Sequence, residues 1–276
     1  MHDSANSRRN GRALANEILA ETRQAVAHLG RTPVVRVVAI EPDAASRSYL
    51  RIKGRSAEKA GMKLELREVG DRAGVIAAVT DPTPDAVLVQ LPLPARLISA
   101  QTDILNALPQ EKDADVLSLA AYERFLAGDP EQLLPPVVGA VKKILGHIEV
   151  DPKEKRVVVI GEGRLVGQPV AAWLEGEGAK VTTLTKETFT TPESRAALKQ
   201  ADMVVSGAGV PMLVTPELIS PGVVLLDAGT SELNGALAGD VDPACAEVAA
   251  YLTPVPGGLG PVVVACLFEN VARLAR

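Results

Sequence analysis

Aromatic side chains are scarce: three Phe, three Tyr and one Trp make up 3% of the chain. With 47% hydrophobic residues overall, the cores must be built from Ala, Val, Leu and Ile. That is the usual filling of parallel sheets covered by helices. Cysteine is nearly absent. Cys245 and Cys266 have no CxxC spacing, so reduced, structural thiols in a cytoplasmic protein are expected. The three histidines, His2, His28 and His147, are too scattered to suggest a metal cluster, and no metal is expected. Basic runs are missing as well. The formal charge is 29 − 34 = −5, which argues against nucleic acid as a partner. The opening segment MHDSANSRRNGR is polar, with no apolar stretch behind its arginines, so no signal peptide is expected. No run of apolar residues is long enough to suggest a membrane span.

What is present is an alternation of strands and helices. At 276 residues the chain is long enough for two domains. Residues 11–29 place Leu14, Ile18, Leu19 and Val26 at helical spacing. Residues 33–40 (PVVRVVAI) form a β-branched run that predicts a buried strand. A helix is predicted over 44–60, ended by Gly61, then a strand over 63–69, part of a helix over 75–80, and a strand in DAVLVQLPLP, 85–94. This β-α-β order predicts a parallel sheet with crossover helices. Beyond a charged loop (PQEKDADV, 109–116) and a helix through 138–145 lies a fresh strand-turn-helix-strand unit at 156–184. ADMVVSGAG and GVVLLDAGT follow as further strands. A Gly/Pro loop and a helix close the chain.

The strand VVVIG enters a turn in which Gly161, Gly163 and Gly167 have G-x-G-x-x-x-G spacing. This is one residue longer than the usual dinucleotide fingerprint. Glycines let the backbone turn tightly beside a phosphate, and the following helix N-terminus offers free N–H groups. Glu162 and Glu187 suit a ribose 2′-OH, whereas Arg164 and Lys186 favour a 2′-phosphate. All four also fit a plain solvated surface.

A second constellation centres on Lys53. Tyr49 and Lys53 lie four apart, on one face of a predicted helix. A Y-x-x-x-K pair also occurs in short-chain dehydrogenases, but there it follows the dinucleotide fold, whereas here it precedes it. Gln90 closes a strand at its carboxyl end, where open α/β sheets bind ligands. Asp113 and Asp115 follow in KDAD, and PVPGGLGP occupies 254–261. Taken singly, each has a bland reading as a surface pair, a turn cap or a solvated loop.

Together, SYLRIK (48–53), VLVQLPLP (87–94), KDAD (112–115), VVVIGEGRLVGQP (157–169), ADMVVSGAG (201–209) and TPVPGGLGP (253–261) resemble the bifunctional methylenetetrahydrofolate dehydrogenase/methenyltetrahydrofolate cyclohydrolase (FolD) family. The resemblance runs in order from about Arg12 to the C-terminus. It implies two α/β domains with parallel sheets and a cleft between them: a folate-binding catalytic domain of residues 1–117 plus 251–276, and a Rossmann-like NAD(P)-binding domain of residues 118–250. It also implies that Lys53, Tyr49, Gln90 and Asp115 are catalytic, and that Tyr49, Asp115, Pro254, Gly257 and Gly258 bind substrate. NADP or NAD would lie against Gly161, Glu162, Gly163, Arg164, Val166, Gly167, Lys186, Ala208, Gly209 and Thr230. A tetrahydrofolate derivative is the implied substrate, and a cytoplasmic homodimer the implied assembly.

The sequence departs from the family pattern mainly on the cofactor side. Glu162-Gly163 replaces R-S, Thr185-Lys186-Glu187 replaces H-S-[RK], and P-[CS]-T-P-x-G has lost its threonine at 134–139. Val116 and Leu117 replace a glycine and an aromatic after the key Asp, and Val262-Val263 replaces M-T. A changed cofactor preference would explain this. So would a divergent paralogue that keeps one activity or takes another substrate, or a non-catalytic folate- or nucleotide-binding protein.

Overall fold

The computed structural model describes residues 11–233 and 235–276. The described chain packs as two compact units: 15–136 with 264–276, and 11–14 with 137–263.

The first unit is built around a three-stranded parallel sheet, order β2-β1-β3. It contains most of α1 (Gly11–Ala27), then β1 (Val34–Ile40), α2 (Ala44–Lys59), β2 (Lys63–Val69), α3 (Arg72–Thr80), β3 (Ala86–Val89), α4 (Gln101–Asn106) and α5 (Leu119–Leu126). Val35, Val37, Val38 and Ala39 of β1 are wholly buried, because parallel partners flank the strand and helices cover it. Val38, Val75, Val79, Val87, Val89 and Leu105 form one core. Strand β2 is the polar edge (KLELREV), and its charged side chains protect it from pairing with another chain. Helix α2 starts where Asp43 accepts a hydrogen bond from Ser46 N at 2.7 Å. Just past its end Gly61 takes φ +76°, a left-handed turn that glycine adopts without strain.

The second unit holds a five-stranded parallel sheet, order β10-β7-β6-β4-β5. After α6 (Pro136–His147) come β4 (Arg156–Ile160), α7 (Gly167–Gly176), β5 (Lys180–Leu184), α8 (Pro192–Gln200), β6 (Met203–Ser206) and β7 (Val224–Asp227). An antiparallel hairpin, β8 (Ser231–Leu233) with β9 (Ala236–Ala238), and β10 (Tyr251–Leu252) complete it, while α9 (Leu259–Leu274) begins in this unit and from Val264 packs with the first. Ile160, Leu198, Val204, Leu225 and Leu252 share its core.

Two parallel-sheet α/β units agree with the predicted class. The unit boundaries lie elsewhere than 117 and 250. Residues 118–136 pack with the first unit, where α5 buries Tyr122 and Phe125. Tyr251 and Leu252 pair with Val224 and Leu225, so they belong to the second sheet. Helices α4, α5 and α8 and the hairpin β8–β9 were not anticipated.

Candidate active site

Helix α2 buries a stripe made of Leu50, Lys53, Ala57 and Ala60. Three of these are apolar, as an amphipathic helix requires. The fourth is a lysine only 7% exposed, and a buried amine needs a partner. Its Nζ donates to Gln90 Oε1 at 3.1 Å. Gln90 in turn is fixed from two sides. Its backbone N–H donates to Val38 O at 2.9 Å, and its Nε2 donates to Leu91 O at 2.6 Å. The amide oxygen is thereby aimed at Lys53. The ring centroid of Tyr49 lies 5.9 Å from Nζ. Gln90 also lines a cavity of about 190 Å³ with Ile40, Asp43, Ser46, Pro92 and Leu93.

Electrostatics follow from this burial. Removal from water pushes the Lys53 ammonium below its ordinary range, and the Asp115 charge opposes that shift only in part. Asp115 is pushed up to about 6 by burial, with Lys53 pulling it down and Asp113 adding to the rise. Burial, then the charge of Asp115, raises the Tyr49 phenol. Lys53, Tyr49, Gln90 and Asp115 are thus one electrostatic group within the first unit.

The loop carrying Asp115 is held from both ends. Asp113 is buried, not solvated, and accepts from Leu117 N at 3.1 Å and Ser118 N at 2.7 Å. Val116 is buried with φ +57°, an unfavourable conformation for a β-branched residue. This is the position where the family pattern has glycine. From α9, Asn270 Nδ2 donates to Ala114 O and Leu134 O, both at 2.9 Å. Sequence reading missed Asn270. Its signal was a lone amide on the apolar face of the last helix.

In the second unit, the sheet order places the topological switch between β4 and β6: β5 lies on one side of β4, while β6 and β7 lie on the other. Open α/β sheets bind ligands outside the carboxyl ends of strands at such a point. There the chain makes its glycine turn. Gly161 has φ +99°, and a Cβ on it would stand 2.7 Å from Gly207 O; a Cβ on Gly167 would overlap Gly161 O. Gly163 is exposed, and a Cβ there would meet nothing within 4 Å. The ten-residue α7 then begins at Gly167. A glycine-walled turn leading into a helix N-terminus fits a dinucleotide pyrophosphate.

Glu162 and Gly163 are exposed in that turn, while Arg164 and Val166 are half-buried. Lys186 and Thr230 are exposed at the ends of β5 and β7. Ala208 and Gly209 follow β6, but their N–H groups both donate to Asp240 Oδ2, at 2.7 and 3.3 Å. Those amides are therefore already engaged by the protein. Pro254, Gly257 and Gly258 belong to the second unit, where the loop is tight enough that a Cβ on Gly11 would overlap Gly258 O.

Comparison with known proteins covers both units. Residues 10–115 match the family model for the tetrahydrofolate dehydrogenase/cyclohydrolase catalytic domain. Residues 135–276 match the NAD(P)-binding domain of the same family. The bifunctional protein FolD of Lacticaseibacillus casei (strain BL23) is 35% identical over 282 residues, covering 98% of each chain. Among solved structures, the bifunctional FolD methylenetetrahydrofolate dehydrogenase/cyclohydrolase of Campylobacter jejuni superposes with a TM-score of 0.90 at 29% identity, covering 96% of this chain and 97% of that one. The Trypanosoma brucei FolD, solved with NADP and an inhibitor, gives 0.88 at 32% identity, covering 97% and 96%.

Proposed function

The chain belongs to the tetrahydrofolate dehydrogenase/cyclohydrolase family, and from that premise we infer the chemistry of its two units. It is an NAD(P)-dependent methylenetetrahydrofolate dehydrogenase and methenyltetrahydrofolate cyclohydrolase. The substrate 5,10-methylenetetrahydrofolate is oxidised to the 5,10-methenyl cation, which is hydrolysed to 10-formyltetrahydrofolate. The observation that carries the residue assignment is a buried lysine, held by a glutamine, whose ammonium form burial disfavours.

We assign the folate chemistry to the first unit and dinucleotide binding to the second. When bound, the dinucleotide supplies the hydride acceptor for the methylene carbon. Lys53 acts as general base in the hydrolysis. A lysine serves as base only when neutral, and burial raises its neutral fraction. As water adds to the methenyl carbon, its proton passes to Nζ. The C–N5 bond then breaks, Nζ returns a proton to N5, and the hydroxyl proton leaves to solvent, giving the formyl group. Gln90 Oε1 keeps Nζ oriented through both transfers. Asp115 accepts from the N–H donors of the pterin edge, and Tyr49 packs beside the ring.

On the cofactor side, Glu162 and Glu187 favour NAD+. Glu187 lies just beyond β5 and accepts from Thr185 Oγ1 at 2.7 Å, a bond that lowers its pKa. An ionised carboxylate beyond the second strand suits a free ribose 2′-OH and repels a 2′-phosphate. A homodimer in the cytoplasm belongs to the same reading, and sedimentation equilibrium tests the assembly. No described helix is long and apolar enough to cross a membrane.

The deciding experiment follows methenyl absorbance after mixing purified protein with methylenetetrahydrofolate and NAD+ or NADP+. Methenyl should form faster with NAD+ and then decay as it hydrolyses. No reaction with either dinucleotide, alongside rapid hydrolysis of added methenyltetrahydrofolate, would leave a cyclohydrolase alone.

A further inference from the structure

Asp240 is completely buried beneath the loop that follows β6. Its Oδ2 accepts from Ser206 Oγ at 2.8 Å, Ala208 N at 2.7 Å and Gly209 N at 3.3 Å. Its Oδ1 accepts from Val210 N at 2.9 Å. One carboxylate thus gathers three consecutive backbone amides and a hydroxyl. Charge-assisted bonds of this kind are the stronger class, and four of them tie the loop to Asp240.

Asp240 is itself held by a second buried carboxylate. Asp227, at the end of β7, accepts from Asp240 N at 3.1 Å, Val241 N at 3.0 Å and Gly229 N at 2.8 Å. Its own N–H donates to Thr253 Oγ1 at 2.7 Å. Glycines close the space around both groups. A Cβ on Gly229 would overlap the Asp240 carboxylate, and one on Gly239 would overlap that of Asp227. Both acids are buried, and their oxygens accept from backbone amides and, for Asp240, from the Ser206 hydroxyl.

The loop they fix forms one wall of the glycine turn. A Cβ on Gly161 would stand 2.7 Å from Gly207 O, and one on Gly207 would stand 2.5 Å from Val166 Cγ1. Residues 206–210 and 161–167 therefore interlock at the switch point between β4 and β6. We propose that Asp240 is a positioning residue for dinucleotide binding, fixing the 206–210 loop against the glycine turn without touching the dinucleotide itself. The amides of Ala208, Gly209 and Val210 are engaged by Asp240 and so are not offered to the dinucleotide. The inference rests on reading the second unit as the dinucleotide-binding one.

The test uses Asp240→Asn in the full chain. An asparagine keeps one acceptor and introduces an N–H₂ that must face either Val210 N–H or the Ser206–Gly209 donors, whichever way the amide lies. Calorimetry should show the Kd of both NAD+ and NADP+ rising about tenfold or more. Hydrolysis of added methenyltetrahydrofolate, which needs no dinucleotide, should stay within about twofold of wild type. Unchanged dinucleotide Kd in a folded variant would overturn the proposal, and so would an equal loss of binding and hydrolysis. If Asp240→Asn does not fold, Ser206→Ala removes one of the four donors, and a Kd equal to wild type overturns the proposal in the same way. Wild-type protein that binds neither dinucleotide would remove the underlying reading and this inference with it; normal wild-type binding with an indifferent variant removes the inference alone.

Discussion

Replacing Asp115 by Asn should change how stability depends on pH, and the size of the change follows from the site. Burial raises the Asp115 carboxyl from an ordinary 3.8 to about 6. The folded state therefore holds this proton more tightly than the unfolded chain does. The favourable contribution is complete below the unfolded value of 3.8 and is lost as pH rises through about 6. At 1.36 kcal/mol per pKa unit, the shift corresponds to a loss of about 3 kcal/mol. Asn does not titrate, so the variant escapes that loss. Urea unfolding of both proteins between pH 4 and 8 reads the difference directly. Stability of the variant minus that of wild type should climb with pH by about 1–3 kcal/mol, mostly between pH 4 and 7. Asp227, also pushed up to about 6 by burial, is common to both proteins and cancels. A difference that is flat with pH, or that falls, would refute the raised proton affinity of Asp115.

Three further outcomes follow from the same structure. Asn270→Ala leaves Ala114 O and Leu134 O without their donor, so stability should fall by about 1–3 kcal/mol. The KM for methenyltetrahydrofolate should rise as the Asp115 loop loosens. Glu162→Arg should raise the NADP+/NAD+ ratio of kcat/KM about tenfold, near 1.4 kcal/mol, by pairing with the 2′-phosphate; an unchanged ratio removes Glu162 from cofactor choice. Gly167→Ala places a Cβ on Gly161 O, and calorimetry should detect no binding of either dinucleotide.

Much of the fold was legible because long elements carry their own periodicity. The run VVRVVAI is buried along nearly its whole length and could be read as an internal strand. Strand 63–69 coincides with β2, and the glycine turn lies where β4 passes into α7. Tyr49 and Lys53 were legible as a pair on one helix face, but the burial of Lys53 within the stripe Leu50, Lys53, Ala57, Ala60 shows only in the fold. Shorter elements carried no such signal. Two residues, Tyr251 and Leu252, have no period, and their strand exists only through pairing with β7. Helix α5 depends on Ser118 as its cap, with Asp113 binding the amides just before it. That role for Asp113 needs knowledge of burial, because in sequence Asp113 and Asp115 look alike. Asp240 was unreadable for the same reason: its four donors come from a loop some thirty residues away.

The central claim is that a buried amine at position 53 carries the hydrolysis. It is tested most directly by Lys53→Met, which keeps the apolar stem and removes the nitrogen. With dinucleotide affinity unchanged as the check on folding, the account predicts that the rate of methenyltetrahydrofolate hydrolysis falls by about 10²–10⁴, the range of general-base catalysis. A folded Lys53→Met protein that hydrolyses methenyltetrahydrofolate at the wild-type rate would contradict it.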